Sequence, residues 1–201
     1  MPSMMLRSHR QRVAFRRTWT PAWLVLGLAL FSGCGSSTQG GIETPPAQCP
    51  VQIQKVAYEG AQHVPVGTPL SFASNPPASG SHYPYWGRWA EHTSPLPRGN
   101  YVHNLEHGGV ALLYRCSGSC PEIVAGLRAV MNAQPQDARC TPPIRSRILL
   151  TPDPDLDVPV AAAAWTYTYR ADCVDAPSLS AFIRDHYDQA SESLCFDGSV
   201  P

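Results

Sequence analysis

The sequence predicts an α+β domain: a small mixed β-sheet with two packed helices and long Pro-rich loops. Three observations lead there. Short apolar runs of strand length recur through the second half of the chain. Two stretches between and after them repeat apolar residues at helical spacing. The chain also holds 21 prolines, many of them before position 100, which favours long ordered loops over a regular sheet in that part.

Taken in order, Val51-Gln52-Ile53-Gln54 alternates apolar and polar residues and reads as a strand. Residues 59–100 are rich in Gly, Pro, Ser, Asn, His and Trp, show no clear period and read as extended loop. Val110 to Tyr114 is a compact apolar run behind Gly108-Gly109, as expected of a buried strand. Cys120-Pro121-Glu122 opens a helix, since Pro suits the first helical position and Glu its positive end. Ile123, Val124, Leu127, Val130 and Met131 continue it at helical spacing. Ile148-Leu149-Leu150 is a short strand closed by Thr151-Pro152-Asp153-Pro154. Val160 to Tyr169 reads as one further strand with Trp165, Tyr167 and Tyr169 on one face. Pro177 starts a last helix carrying Leu179, Phe182, Ile183, His186 and Tyr187 on one side.

Ahead of this domain the chain is organised for export. Arg7, Arg10, Arg12, Arg16 and Arg17 precede an apolar run from Ala22 to Phe31, with no acid among them. The run falls short of the roughly twenty apolar residues a membrane span needs, and the pattern is that of a secretory signal peptide. Its end, Phe31-Ser32-Gly33-Cys34, resembles the lipobox of bacterial lipoproteins, in which the cysteine is acylated and becomes the new amino terminus. The expected organisation is therefore a lipoprotein signal peptide over 1–33, a flexible Gly/Ser/Pro tether over 34–48 and a single α+β domain over 49–201. The expected location is the cell envelope, with the chain lipid-anchored to the membrane outside the cytoplasm.

Removing the signal changes the charge. Five of the fifteen basic residues lie ahead of Cys34 and none of the fifteen acids does, so ten bases face fifteen acids in the remainder. An acidic surface argues against nucleic acid as a partner. Assigning Cys34 to lipid leaves Cys49, Cys116, Cys120, Cys140, Cys173 and Cys195. An even number in an oxidising compartment suggests up to three disulfides, with the pairing open.

The densest chemistry is Tyr101-Val102-His103-Asn104-Leu105-Glu106-His107-Gly108-Gly109, with Asn75-Pro76-Pro77-Ala78-Ser79-Gly80-Ser81-His82-Tyr83-Pro84 upstream. If the first string is helical, His103 and His107 stand on one face as His-x-x-x-His metal ligands do. If it is extended, His103, Leu105 and His107 share a face and Glu106 opposes them. The string also fits the inverted zincin pattern His-x-x-Glu-His, although it runs straight into Gly108-Gly109 rather than along a helix.

Together these two histidine motifs resemble the bacterial family called domain of unknown function 3105, and the likeness covers roughly residues 50 to 190. The resemblance implies a secreted or membrane-anchored protein and carries no established activity. The matched positions are His82, His103, Glu106 and His107.

Those four residues are expected to form a metal site for a zinc or copper ion, with Glu106 either a fourth ligand or a base acting on bound water. The favoured function is a binding or accessory role in the envelope. The alternatives are a metal-dependent hydrolase with Glu106 as general base, and a structural lipoprotein whose histidines hydrogen-bond loop backbone. Cys116-Ser-Gly-Ser-Cys120-Pro121 is a disulfide or redox pair; strand, Cys-x-x-x-Cys-Pro and helix resemble the copper site of Sco-type thioredoxin-fold chaperones, whose pattern the rest of the chain does not show. His63 and His92 lie in loops with nothing to support a role. The aromatic residues Trp86, Trp89, Tyr83, Tyr85 and Tyr101 read either as a sugar platform or as packing for long loops.

Overall fold

The computed structural model describes residues 49–200. The signal peptide and tether expected over 1–33 and 34–48 lie outside the described residues. Five strands form one mixed sheet: β1 (Val51–Lys55), β2 (Val110–Tyr114), β3 (Ile148–Pro152), β4 (Val160–Ala164) and β5 (Tyr167–Ala171), in the order β1-β5-β4-β2-β3. Three helices accompany it: α1 (Arg98–Glu106), α2 (Pro121–Ala133) and α3 (Ala176–His186). The strands β2 and β3 are parallel and joined through α2, while every other pair is antiparallel. The expected α+β class, mixed sheet and Pro-rich loops are all present.

The inner strands β2, β3 and β4 are largely apolar because both faces of the sheet are covered there, whereas β1 at the edge is mostly exposed. Side chains alternate along each strand. Val110, Leu112, Ile148, Leu150, Val160 and Ala162 pack with Leu127 and Val130 of α2 and with Leu179, Phe182 and Ile183 of α3. Their neighbours Ala111, Leu113, Leu149, Ala161 and Ala163 pack on the other side with Tyr101, Val102 and Leu105 of α1 and with Leu156 and Trp165. Each fully buried leucine among them contributes roughly 1.5–3 kcal/mol. The strap carrying Glu91 covers the outer edge of β3: the His92 amide donates to the Leu150 carbonyl at 2.7 Å, and the Leu150 amide donates to Ala90 at 3.1 Å. That closes an edge otherwise open to another strand.

The helices on the first face start as their sequences predict. Pro121 stands in the first turn of α2, and Asp175 caps α3 by accepting from the Ser178 amide at 2.8 Å. One strand reading is corrected. Val160 to Tyr169 is not continuous but folds into the hairpin β4–β5, turning at Trp165-Thr166, where Thr166 takes φ 62°. Trp165 therefore faces the α1 side, whereas Tyr167 and Tyr169 face α2 and α3. The Thr166 amide bonds the Ala78 carbonyl (2.8 Å) and its own carbonyl accepts from Val56 (2.9 Å), so tertiary bonds hold a turn that lacks glycine.

Among the described residues three disulfides are present: Cys49–Cys173, Cys116–Cys120 and Cys140–Cys195. The first ties the entrance of β1 to the loop after β5. The second closes the short loop between β2 and α2, and the third joins the loop after α2 to the carboxyl-terminal tail. This pattern belongs to an oxidising, extracytoplasmic environment. No helix among the described residues is long and apolar enough to cross a membrane.

Candidate metal centre

The string around His103 is helical. From Gly99 to Glu106 every residue of α1 is buried, polar ones included. A helix buried on all sides needs a partner for each polar group. Asn100 donates to the Tyr85 carbonyl (2.6 Å), and Asn104 pairs with both backbone groups of Gly87, accepting at 2.9 Å and donating at 2.8 Å. The first turn is fixed by Arg98, whose guanidinium holds Asp153 at 3.0 Å while the Tyr101 hydroxyl donates to the same carboxylate at 3.0 Å. Burial and this carboxylate hold the Tyr101 phenol protonated, well above its usual range.

Past the end of α1, Gly108 takes the left-handed region at φ 81° and its amide returns to the Leu105 carbonyl. Gly109 is required by close approach: a Cβ there would overlap the Trp89 ring and come within 2.8 Å of the Arg147 carbonyl. Beneath it Arg147, 1 % exposed, donates to the His107 carbonyl (2.9 Å) and pairs with Asp137 (3.0 Å) and Asp188 (2.8 Å).

This scaffold brings His82, His103 and Glu106 together, and His63 joins them. One ligand atom from each of the four lies within 4.8 Å of every other. The Glu106 carboxylate stands 3.0 Å from His82 Nε2 and 3.6 Å from His63 Nε2. His107 lies just beyond, its Nε2 at 3.2 Å from His103 Nε2 and 3.2 Å from the Glu192 carboxylate. Trp86 covers the His103 and His107 rings, with centroids 5.0 and 4.5 Å away.

The tautomers follow from the backbone. His82 Nδ1 sits 2.8 Å from the Gly80 carbonyl and His103 Nδ1 2.7 Å from that of Tyr83. A carbonyl only accepts, so both protons reside on Nδ1 and both Nε2 lone pairs face inward. His82 Nε2 and the Glu106 carboxylate are then two acceptors at 3.0 Å. Their contact is favourable only around a shared cation, either a second proton or a metal ion.

The histidines beside them resist protonation. Burial pushes the His103 ring down to about 3; its hydrogen bond to Tyr83 opposes the shift, while neighbouring imidazoles add to it. Burial likewise lowers His107 to about 4 against the pull of Glu106. At neutral pH both rings are neutral, the form that binds metals. An ion about 2.0–2.1 Å from each donor sets neighbouring ligand atoms roughly 3.3 Å apart. The widest separation here therefore closes by about 1.5 Å on binding, within the reach of side-chain torsions. All six cysteines among the described residues are in disulfides, so the donor set is imidazole and carboxylate.

His63 had no signal in the sequence. Its backbone pairs with that of His82, the Val64 amide donating to the His82 carbonyl (2.8 Å) and the His82 amide to Gln62 (2.9 Å), and this bridge sets the two rings side by side. Glu192 is likewise delivered by long-range folding, its amide donating to the Glu106 carbonyl at 3.1 Å. His92 lies apart, bonded to the Arg88 carbonyl. Cys116 and Cys120 pair with each other.

Fold and cluster together define a small disulfide-bonded α+β domain in which buried His82, His103 and Glu106 meet the exposed His63. Residues 63–195 match the family described as a protein of unknown function, DUF3105, and the chain belongs to it. No curated protein and no solved structure matches the chain.

Proposed function

We propose that the chain is a lipid-tethered envelope protein that binds a zinc or copper(II) ion through His63, His82, His103 and Glu106, in a binding or accessory role. The observation that carries this reading is the pair of Nδ1–carbonyl bonds at His82 and His103. In known metal sites the far nitrogen of a ligating imidazole is held in this way, which fixes the tautomer and aims the lone pair. Imidazole with carboxylate suits zinc or copper(II) and lacks the thiolate that copper(I) prefers.

Glu106 acts as a ligand in this reading, since two imidazoles already face its carboxylate at 3.0 and 3.6 Å. The alternative, a hydrolase with Glu106 as base, requires that carboxylate to be free to take a proton from water. Anchoring rests on the lipobox-like Phe31-Ser32-Gly33-Cys34 and the tether behind it.

Calorimetric titration of metal-depleted protein with zinc and with copper(II) tests the metal. One equivalent is expected in the wild type, with binding lost in a His82→Ala/His103→Ala variant; equal binding by both proteins would remove the reading. Cys34→Ala, assayed by palmitate labelling and membrane fractionation, tests the anchor. Undiminished labelling and unchanged membrane association would remove that part.

A further inference from the structure

We infer that His107 and Glu192 form an exchange path through which the ion enters and leaves the cluster, so that the site passes its metal on rather than keeping it as structural glue. The inference rests on the metal reading above. It comes from a contrast among the imidazoles. His82 and His103 are locked at Nδ1 by backbone carbonyls, as resident ligands are. His107 is 3 % exposed, yet its Nδ1 is buried with no hydrogen-bond partner among the described residues. A buried nitrogen without a partner is costly, so its persistence calls for a role. Only its Nε2 makes polar contacts, so no backbone carbonyl locks this ring as one locks His82 and His103.

The position of that ring gives the missing backbone lock a meaning. Its Nε2 reaches His103 Nε2 on the inner side and the Glu192 carboxylate on the outer side, each at 3.2 Å. The Glu192 side chain is 45 % exposed, so the line from Glu192 through His107 to His103 runs from solvent to the buried donors. The His63 side chain is 51 % exposed and hangs from a loop, the one cluster donor not enclosed by the fold. With His107 the imidazoles and Glu106 number one more than the four a tetrahedral ion takes. The ion can therefore gain His107 before it loses His63, and no step leaves it with a bare coordination position. The transfer is ligand substitution at constant oxidation state: one nitrogen–metal bond forms as another breaks, and no electron moves.

The test is stopped-flow exchange on the purified full chain, with zinc as probe and a chromophoric chelator as acceptor. Glu192→Gln alters an exposed side chain, and His107→Ala removes the inner step. Both are expected to slow zinc uptake and zinc release by about tenfold or more, the lower end of what outer groups contribute at metal sites. Affinity should change less than either rate, because a path lowers the barrier in both directions. Unchanged rates in both variants would overturn the path. So would an affinity loss in His107→Ala as large as in His103→Ala, which would make His107 a resident ligand. A wild type that binds no zinc or copper(II) would remove the metal reading itself, an outcome separate from either of these.

Discussion

Replacing Arg147 by Met probes the link between the sheet and the candidate metal centre. The guanidinium is almost wholly enclosed, holds Asp137 and Asp188, and donates to the carbonyl of His107 at the end of α1. Methionine keeps the apolar stem and removes the charge, leaving Asp137 without its guanidinium and Asp188 with Arg139 alone. Breaking a buried pair from one side costs roughly 3–5 kcal/mol. Asp188 is 21 % exposed and water takes up part of its charge, which places the expected loss near the lower end, about 3 kcal/mol. In a domain of this size each kcal/mol moves the melting temperature by about 2–4 °C, so Arg147→Met should melt about 6–12 °C lower. A calorimetric melt of both proteins at neutral pH decides the matter. A drop under about 2 °C would show that the carboxylates find other partners and that Arg147 does not support α1. Arg147→Lys should recover only part of the loss, since one ammonium cannot reproduce the forked contacts.

Four further outcomes are expected. Gly109→Ala should cost about 1–3 kcal/mol by urea unfolding, as a Cβ overlaps the Trp89 ring; a neutral result would mean that the ring has room to move. Metal-free protein should lose stability in acid. The His103 and His107 rings sit below their unfolded value near 6.5, so the unfolded chain takes up protons first, and stability that is full above pH 6.5 falls by about 2 kcal/mol per ring at pH 5. A urea midpoint that holds or rises between pH 7 and 5 would contradict this. Removing Cys49–Cys173, which spans 124 residues, should cost about 4–5 kcal/mol, against about 2 kcal/mol for Cys116–Cys120, which spans 4; equal losses would show that loop closure is not the source. Glu106→Gln should weaken zinc binding by more than tenfold, the order lost with one charged contact, and an unchanged affinity would exclude the carboxylate from the shell.

The parts of this fold that were legible in the sequence are those where one face meets a core. The helices α2 and α3 bury a single stripe, so Leu127 and Val130, or Leu179, Phe182 and Ile183, recur at helical spacing. The strands β2 to β4 are covered on both faces and appear as unbroken apolar runs. The helix α1 escaped that logic because it is enclosed on every side. Its Asn, His and Glu residues are buried against loop backbone, so its sequence shows no stripe and read equally as helix or strand.

The turn at Trp165-Thr166 was hidden for a related reason. Long-range bonds to Ala78 and Val56 hold it, and neither residue at the turn is one that turns favour. His82, His103 and Glu106 could be named because their motifs are dense in chemistry. His63 could not, because a single bridge between two irregular segments brings it to the site. Six cysteines left fifteen pairings open, and only the folded positions of Cys49 beside Cys173 and Cys140 beside Cys195 resolve them.

X-ray absorption at the metal edge of zinc- or copper(II)-loaded protein measures the coordination shell itself. One ion per chain is expected, with three imidazole nitrogens and a carboxylate oxygen at about 2.0–2.2 Å, and imidazole scattering is expected to be lost in His82→Ala/His103→Ala. A shell of water and carboxylate oxygen alone, or one identical in the variant, would contradict the metal reading.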